Sequence, residues 1–238
     1  MTEETGLKGE SQMIRKPKQM SESMVLGVVL TLAGGFQDAY SYNCRGEVFA
    51  NAQTGNIVLL GQNLASGNFQ NALHYVFPLL AFLGGVYLSE WVRELCKGRG
   101  RLHWRQIVLA FEIVMLAAAG LMPQSLNVVS NVLMSFACAM QVDSFRKFRG
   151  IPCATTMCIG NMRSGTELLC KYHITKDPEL KRKSLHYYFI ILVFAVGAAI
   201  GAVVSQRFGN PSIWIAAGLM LIGFILMFIK EDIQGQTE

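Results

Sequence analysis

Two carboxylates stand where a carboxylate is expensive. Asp38 lies in "VVLTLAGGFQDAYSY" and Glu112 interrupts "IVLAFEIVML". In such surroundings an ionisable group binds a cation, relays a proton, or holds a helix break by accepting backbone N–H bonds. Glu112 needs a partner of its own, and His74, His186 or a proton would serve. His74 and His186 each stand at the start of an apolar run at matched positions, which makes them candidate pH-sensitive gates. Downstream of Asp38, "FANAQTGNIVLLG" (Phe49–Gly61) sets Asn51, Gln53, Thr54, Gly55 and Asn56 directly against an apolar run. A second such set, Asp143, Thr156, Gly160 and Asn161, surrounds "CATTMCIGNMRS". Asn supplies two donors and an acceptor, and Gly permits a sharp break or a close approach. Both sets are suited to holding a small solute or an ion.

Other chemistry is disfavoured. There is no Ser/His/Asp order, HExxH, P-loop or dinucleotide fingerprint, so an enzyme is not expected. The six cysteines (44, 96, 138, 153, 158 and 170) show no CxxC spacing, and Cys153 and Cys158 lack the nearby His pair of a zinc site. No metal and no cofactor is expected.

The elements that carry these residues are apolar blocks. Of 238 residues, 52% are hydrophobic and 16% charged, against about 25% charged in soluble domains. The apolar residues gather in runs of the length that spans a hydrocarbon core of about 30 Å. Candidate spans are Met24–Tyr42, Leu73–Trp91, Ile107–Met122, Leu126–Gln141, His186–Val204 and Ile213–Ile229. Asp38 then lies 14 residues into the first span, or about 21 Å at about 1.5 Å per residue. Residues 1–23 form a polar, basic tail expected to be disordered, and 231–238 a second tail.

Lysine and arginine fix the orientation. They crowd the N-terminal tail, the loop from Arg93 to Arg105, and the stretch from Arg146 to Lys183. The other connections are poor in charge, with Arg45 alone in the first and Arg207 alone in the last. Six crossings with both termini in the cytoplasm place every rich segment inside. If the two amide-rich stretches also crossed, the loop from Arg93 to Arg105 would lie outside, so each should enter the membrane without completing a crossing. Topology accounts for the basic clusters, and nucleic acid is not an expected partner.

The second half echoes the first. A shift of 105 carries Asp38 onto Asp143, Gly55 onto Gly160 and Asn56 onto Asn161. A shift of 112 carries "LHYVF" (Leu73–Phe77) onto "LHYYF" (Leu185–Phe189) and Gly85 onto Gly197. Three crossings per copy is odd, so the copies, 24–122 and 123–230, would be inverted in the membrane. The expected fold is all-α, six spans in a 3+3 inverted-topology repeat, each copy with a re-entrant or broken Gly-Asn segment. Such repeats place a polar site near mid-membrane at their interface. Asn56 and Asn161 are expected to approach each other there. Gly197-x-x-x-Gly201 reads as close helix packing, and the small-residue faces allow a homodimer.

The segments "GGFQDAYSYNCRGEVFANAQTGNIVLLG" (Gly34–Gly61) and "CATTMCIGNMRS" (Cys153–Ser164) resemble the signatures of the YoaK-like family of bacterial membrane proteins, a domain of unknown function. The resemblance runs from about Ser21 to Ile229. Family members usually carry Thr-Gly-Asn in both copies, whereas Ile159 stands in place of the second Thr here. It implies a polytopic bacterial inner-membrane protein and brings no substrate. The functional expectation is a small-solute transporter, coupled to protons or cations through Asp38, Glu112, His74 and His186. The alternatives are a passive channel lined by the paired segments, or a membrane binding or regulatory protein.

Overall fold

A computed structural model of the chain describes residues 23–96 and 104–235. The tail expected over 1–23 falls outside these except for Ser23, as do Lys97, Arg99 and Arg101 of the basic loop. Among the described residues, eight α-helices follow one another: α1 Met24–Cys44, α2 Gln53–Ala65, α3 Phe69–Cys96, α4 Trp104–Leu121, α5 Asn127–Ser144, α6 Cys158–Thr175, α7 Pro178–Phe208 and α8 Ile213–Gly235. One small antiparallel hairpin, β1 (Lys147–Phe148) with β2 (Ile151–Pro152), joins α5 to α6.

Local chemistry sets the ends. The Ser23 hydroxyl accepts from Leu26 N–H at 3.2 Å, which starts α1. Asp177 accepts from Glu179 N–H at 2.9 Å with Pro178 in the first turn, so α7 begins eight residues before the expected span start at His186. The hairpin turns at Arg149 (φ 51°) and Gly150 (φ 76°). Two successive positive φ values suit a tight two-residue connection. α8 runs through Gly235, into the segment expected as a tail.

Five described helices are long and apolar enough to cross a membrane: α3, α4, α5, α7 and α8, with short extensions into the preceding turns of α5 and α8. α1, the first expected span, is not among them, because Gln37, Asp38, Tyr40, Ser41 and Asn43 make its last third polar. Gln37, Asp38, Tyr40 and Ser41 are buried there, while Tyr42 and Asn43 are exposed. α2 has 13 residues, about 20 Å of helix at about 1.5 Å per residue, which is short of a hydrocarbon core. α6 carries Arg163, Glu167 and Lys171 and is likewise not among the five.

Polarity is distributed as a lipid environment demands. Buried positions include Gln37, Glu112, Ser135 and Gln141, while Leu83, Val114, Leu192 and Ile222 face outward. A helix in lipid can expose apolar side chains at no penalty but must satisfy polar groups internally.

The packing pairs of the two halves exchange. α1 packs on α7, and α5 packs on α3. α2 lies on α3 and α6 on α7, α8 lies on α1 and α4 on α5, and α4 meets α8. Swapping the first four helices for the last four leaves this set unchanged. Glycine permits the closest approaches. A Cβ at Gly197 would come within 2.2 Å of Leu32 O, and one at its counterpart Gly85 within 2.5 Å of Phe136 O. Gly201 likewise admits Phe36 O, so Gly197-x-x-x-Gly201 seats α7 against α1.

Candidate functional site

The two Gly-Asn motifs do the same thing. Asn56 lies in the first turn of α2, and its side-chain amide reaches back seven residues. Its Nδ2 donates to Phe49 O at 2.7 Å, and its Oδ1 accepts from Phe49 N–H at 2.9 Å. Asn161, in the first turn of α6, donates to Ala154 O at 2.7 Å and accepts from Ala154 N–H at 3.4 Å. An amide offers one donor edge and one acceptor edge, so it pairs with a peptide unit as a neighbouring strand would. Both Asn side chains are buried and hold the loop that enters the short helix. Asn56 also donates to Gln53 Oε1 at 2.9 Å. The main packing partners of α2 and α6 are α3 and α7 rather than each other.

The segments that converge are the loops just before these helices. Asn51 Nδ2 donates to Gly34 O at 3.0 Å. On the same residue of α1, a Cβ would come within 2.7 Å of the Thr156 methyl. Asn51 and Thr156 are 105 residues apart, the same separation as Asn56 and Asn161. Gln53 reaches Ser135 on α5 at 3.4 Å, and Gln141 on α5 donates to Thr155 Oγ1 at 3.1 Å. Thr54 is exposed.

Asp38 pins the first loop. Its Oδ1 accepts from Asn51 N–H at 2.6 Å, while Ser41 Oγ accepts from Ala50 N–H at 3.0 Å. A buried carboxylate that accepts a peptide N–H stabilises a chain reversal. Asp143, its counterpart, serves differently. It pairs through Oδ1 with Arg146, which also engages Glu90, and Glu90 pairs with Arg93. Asp143 Oδ2 is buried without a hydrogen-bond partner among the described residues.

Glu112 stands at the middle of α4 and is fully buried. Among the described residues, no hydrogen bond joins it to His74 or His186. The polar side chain beside it is Gln37 on α1, although no hydrogen bond of ordinary geometry reaches either carboxyl oxygen. Gln37 Oε1 accepts from the Cys138 thiol on α5 at 2.8 Å, and Cys138 lies within electrostatic reach of both Glu112 and Asp38. Three helices from both halves thus bring Gln37, Asp38, Glu112 and Cys138 into one buried polar group. Gln37 Nε2, Asn51 Oδ1, Gln141 Oε1 and both Glu112 oxygens lack protein partners among the described residues. Each such atom costs about 1–3 kcal/mol, so the group is a poor way to build a core and a suitable place for a proton, a cation or a polar solute. The histidines lie elsewhere. His74 is exposed, and His186 is half-buried against the Tyr187 ring with Nε2 unpartnered among the described residues.

A cleft of about 480 Å³ opens beside α6. Its walls include Phe82, Val86, Val142 and Met157, with Asp143, Arg146, Gly160 and Asn161 among the polar and backbone contributors. It brings three of the sequence-derived residues of the second half together. The matching space in the first half is filled. A Cβ at Gly55 would come within 2.8 Å of the Phe49 ring, which stacks on Tyr42 at 4.9 Å, whereas nothing lies within 4 Å of a Cβ at Gly160.

One buried cation escaped the sequence reading. Arg45, read only as a stray loop charge, is fully buried at the end of α1. Its guanidinium donates to Ala119 O at 2.6 Å and Met122 O at 3.0 Å, and to Asn127 and the Tyr40 hydroxyl. It thereby caps the carbonyl end of α4, where a positive charge opposes the helix dipole. The signal was available in the Pro123 that follows α4, since a helix stopped there leaves carbonyls to satisfy.

Residues 26–226 match the family described as "Protein of unknown function (DUF1275)". Among curated proteins, the UPF0700 transmembrane protein YoaK of Bacillus subtilis (strain 168) is 25% identical over 217 residues, covering 87% of this chain and 94% of that protein. No solved structure matches.

Proposed function

We propose that this chain, which belongs to the DUF1275 family of membrane proteins, is a permease that moves a small solute across the bacterial cell membrane. The observation that carries this reading is Glu112. It is fully buried at mid-helix, beside Gln37, with neither oxygen satisfied by the described residues. A carboxyl so placed loads and releases a proton or cation readily when helices shift, and coupling residues of transporters have this character. In this reading α1 joins the five apolar helices as a sixth span, both termini are cytoplasmic, and the halves form an inverted repeat. The exchanged packing pairs and the twin Asn clamps support the repeat. α2 and α6 enter the membrane from opposite faces, and their preceding loops meet α1 at Gly34. Asp38 and Asn161 hold those loops, while His186, in the first third of α7, tunes access. A channel lined by Asn56 and Asn161 is the weaker reading, because both amides are already paired with backbone.

Flux in proteoliposomes tests it. The native chain is expected to accumulate a solute uphill under a proton gradient. Glu112→Gln is expected to lower that accumulation by at least about tenfold while the protein still folds. Flux that never exceeds equilibration and ignores Glu112→Gln would favour the channel, and no flux of any solute would sink both readings.

A further inference from the structure

The sealed half of the molecule is a template for what the open half binds. In the first half, two things surround the Gly-Asn turn: a planar ring, Phe49, covers Gly55, and a peptide N–H, from Asn51, satisfies the Asp38 carboxylate. In the second half both are missing. The residue clamped by Asn161 is Ala154, so no ring covers Gly160 and the space above it is open. Asp143 spends one oxygen on Arg146, and its other oxygen, on a side chain 4% exposed, has no hydrogen-bond partner among the described residues. The same cleft is walled by Phe82, Val86, Val142 and Met157.

We propose that this cleft binds a small aromatic cation, its ring seated over Gly160 as Phe49 sits over Gly55, its ammonium group donating to the free oxygen of Asp143. The ring supplies the apolar contact that Ala154 does not. The ammonium supplies the donor that Asn51 supplies in the other half, and a buried carboxylate favours a charged donor. Arg146 does not turn the site toward anions, since Asp143 and Glu90 both engage it. The inference names the solute class for the permease reading. Binding to the resting protein is independent of flux, so the two fail separately.

The test uses the full chain in lipid nanodiscs and phenethylammonium as the probe, titrated by calorimetry beside phenylacetate and butylammonium. Phenethylammonium is expected to bind, with phenylacetate and butylammonium at least about tenfold weaker. Asp143→Asn and Ala154→Phe are each expected to lower its affinity by more than about tenfold. Ala154→Phe rebuilds the arrangement that the first half already tolerates, and an unchanged circular dichroism melt shows that it folds. Equal affinity for Ala154→Phe, a preference for phenylacetate, or no binding to the native chain would overturn the proposal. Binding without transport would leave the site standing and remove the permease reading alone.

Discussion

The two halves build the same turn with opposite outcomes. Asn56 and Asn161 each clamp the residue seven positions earlier, and each follows a glycine. Where the clamped residue is Phe49, its ring closes over Gly55. Where it is Ala154, Gly160 looks into a cleft of about 480 Å³. One side chain, Phe49 against Ala154, therefore separates the covered turn from the open one. The carboxylates diverge in step: Asp38 is absorbed into its loop, and Asp143, which helps wall the cleft, keeps a buried oxygen without a hydrogen-bond partner among the described residues.

The clamps should give the largest effect on stability. Asn56→Ala removes three hydrogen bonds of 2.7–2.9 Å and strands buried backbone groups. It is expected to cost about 3 kcal/mol in a denaturant titration followed by circular dichroism in micelles. Asn161→Ala removes one short bond and longer ones of 3.4 Å, and about 2 kcal/mol is expected. Equal losses would mean that the two clamps do not differ as their geometry indicates.

The glycines should separate in sign. Gly55→Ala drives a methyl group into the Phe49 ring and is expected to destabilise by about 1–3 kcal/mol. Gly160→Ala meets open space near a helix start, so the better helix propensity of Ala is expected to leave stability unchanged or raise it by up to about 1 kcal/mol. The melting temperatures of the two variants, compared with the native chain, check this. A loss at Gly160 as large as that at Gly55 would erase the distinction between the halves.

Much of the frame was legible because lipid imposes simple rules. Apolar runs of spanning length and the shift of 105 residues led to the helices and to Asn56 and Asn161 as a pair. What those side chains touch was not legible. The amides were expected to face each other, but a side chain in the first turn of a helix sits beside the loop that enters it, and the nearest unpaired groups are that loop's own peptides. The neighbour of Glu112 was sought among histidines because charge pairing is readable from composition. Gln37 depends on how α1 crosses α4 and α5, which no periodicity records. The hairpin at Lys147–Pro152 lay hidden in a stretch read only for its basic charge, although Arg149-Gly150 is a turn signal. The polar end of α1 was read as membrane-spanning on its first two thirds, where the apolar residues are.

The Gly-Asn turn is open at Gly160 and closed at Gly55. Labelling tests it most directly. Gly160→Cys is treated in membrane vesicles of each orientation with a membrane-impermeant maleimide, and modification of its peptide is followed by mass spectrometry. The account predicts fast labelling from the cytoplasmic side alone, slowed by more than about tenfold when Ala154→Phe is added to restore the plug. Labelling at the same rate with and without the added ring, or equally from both sides, would contradict it.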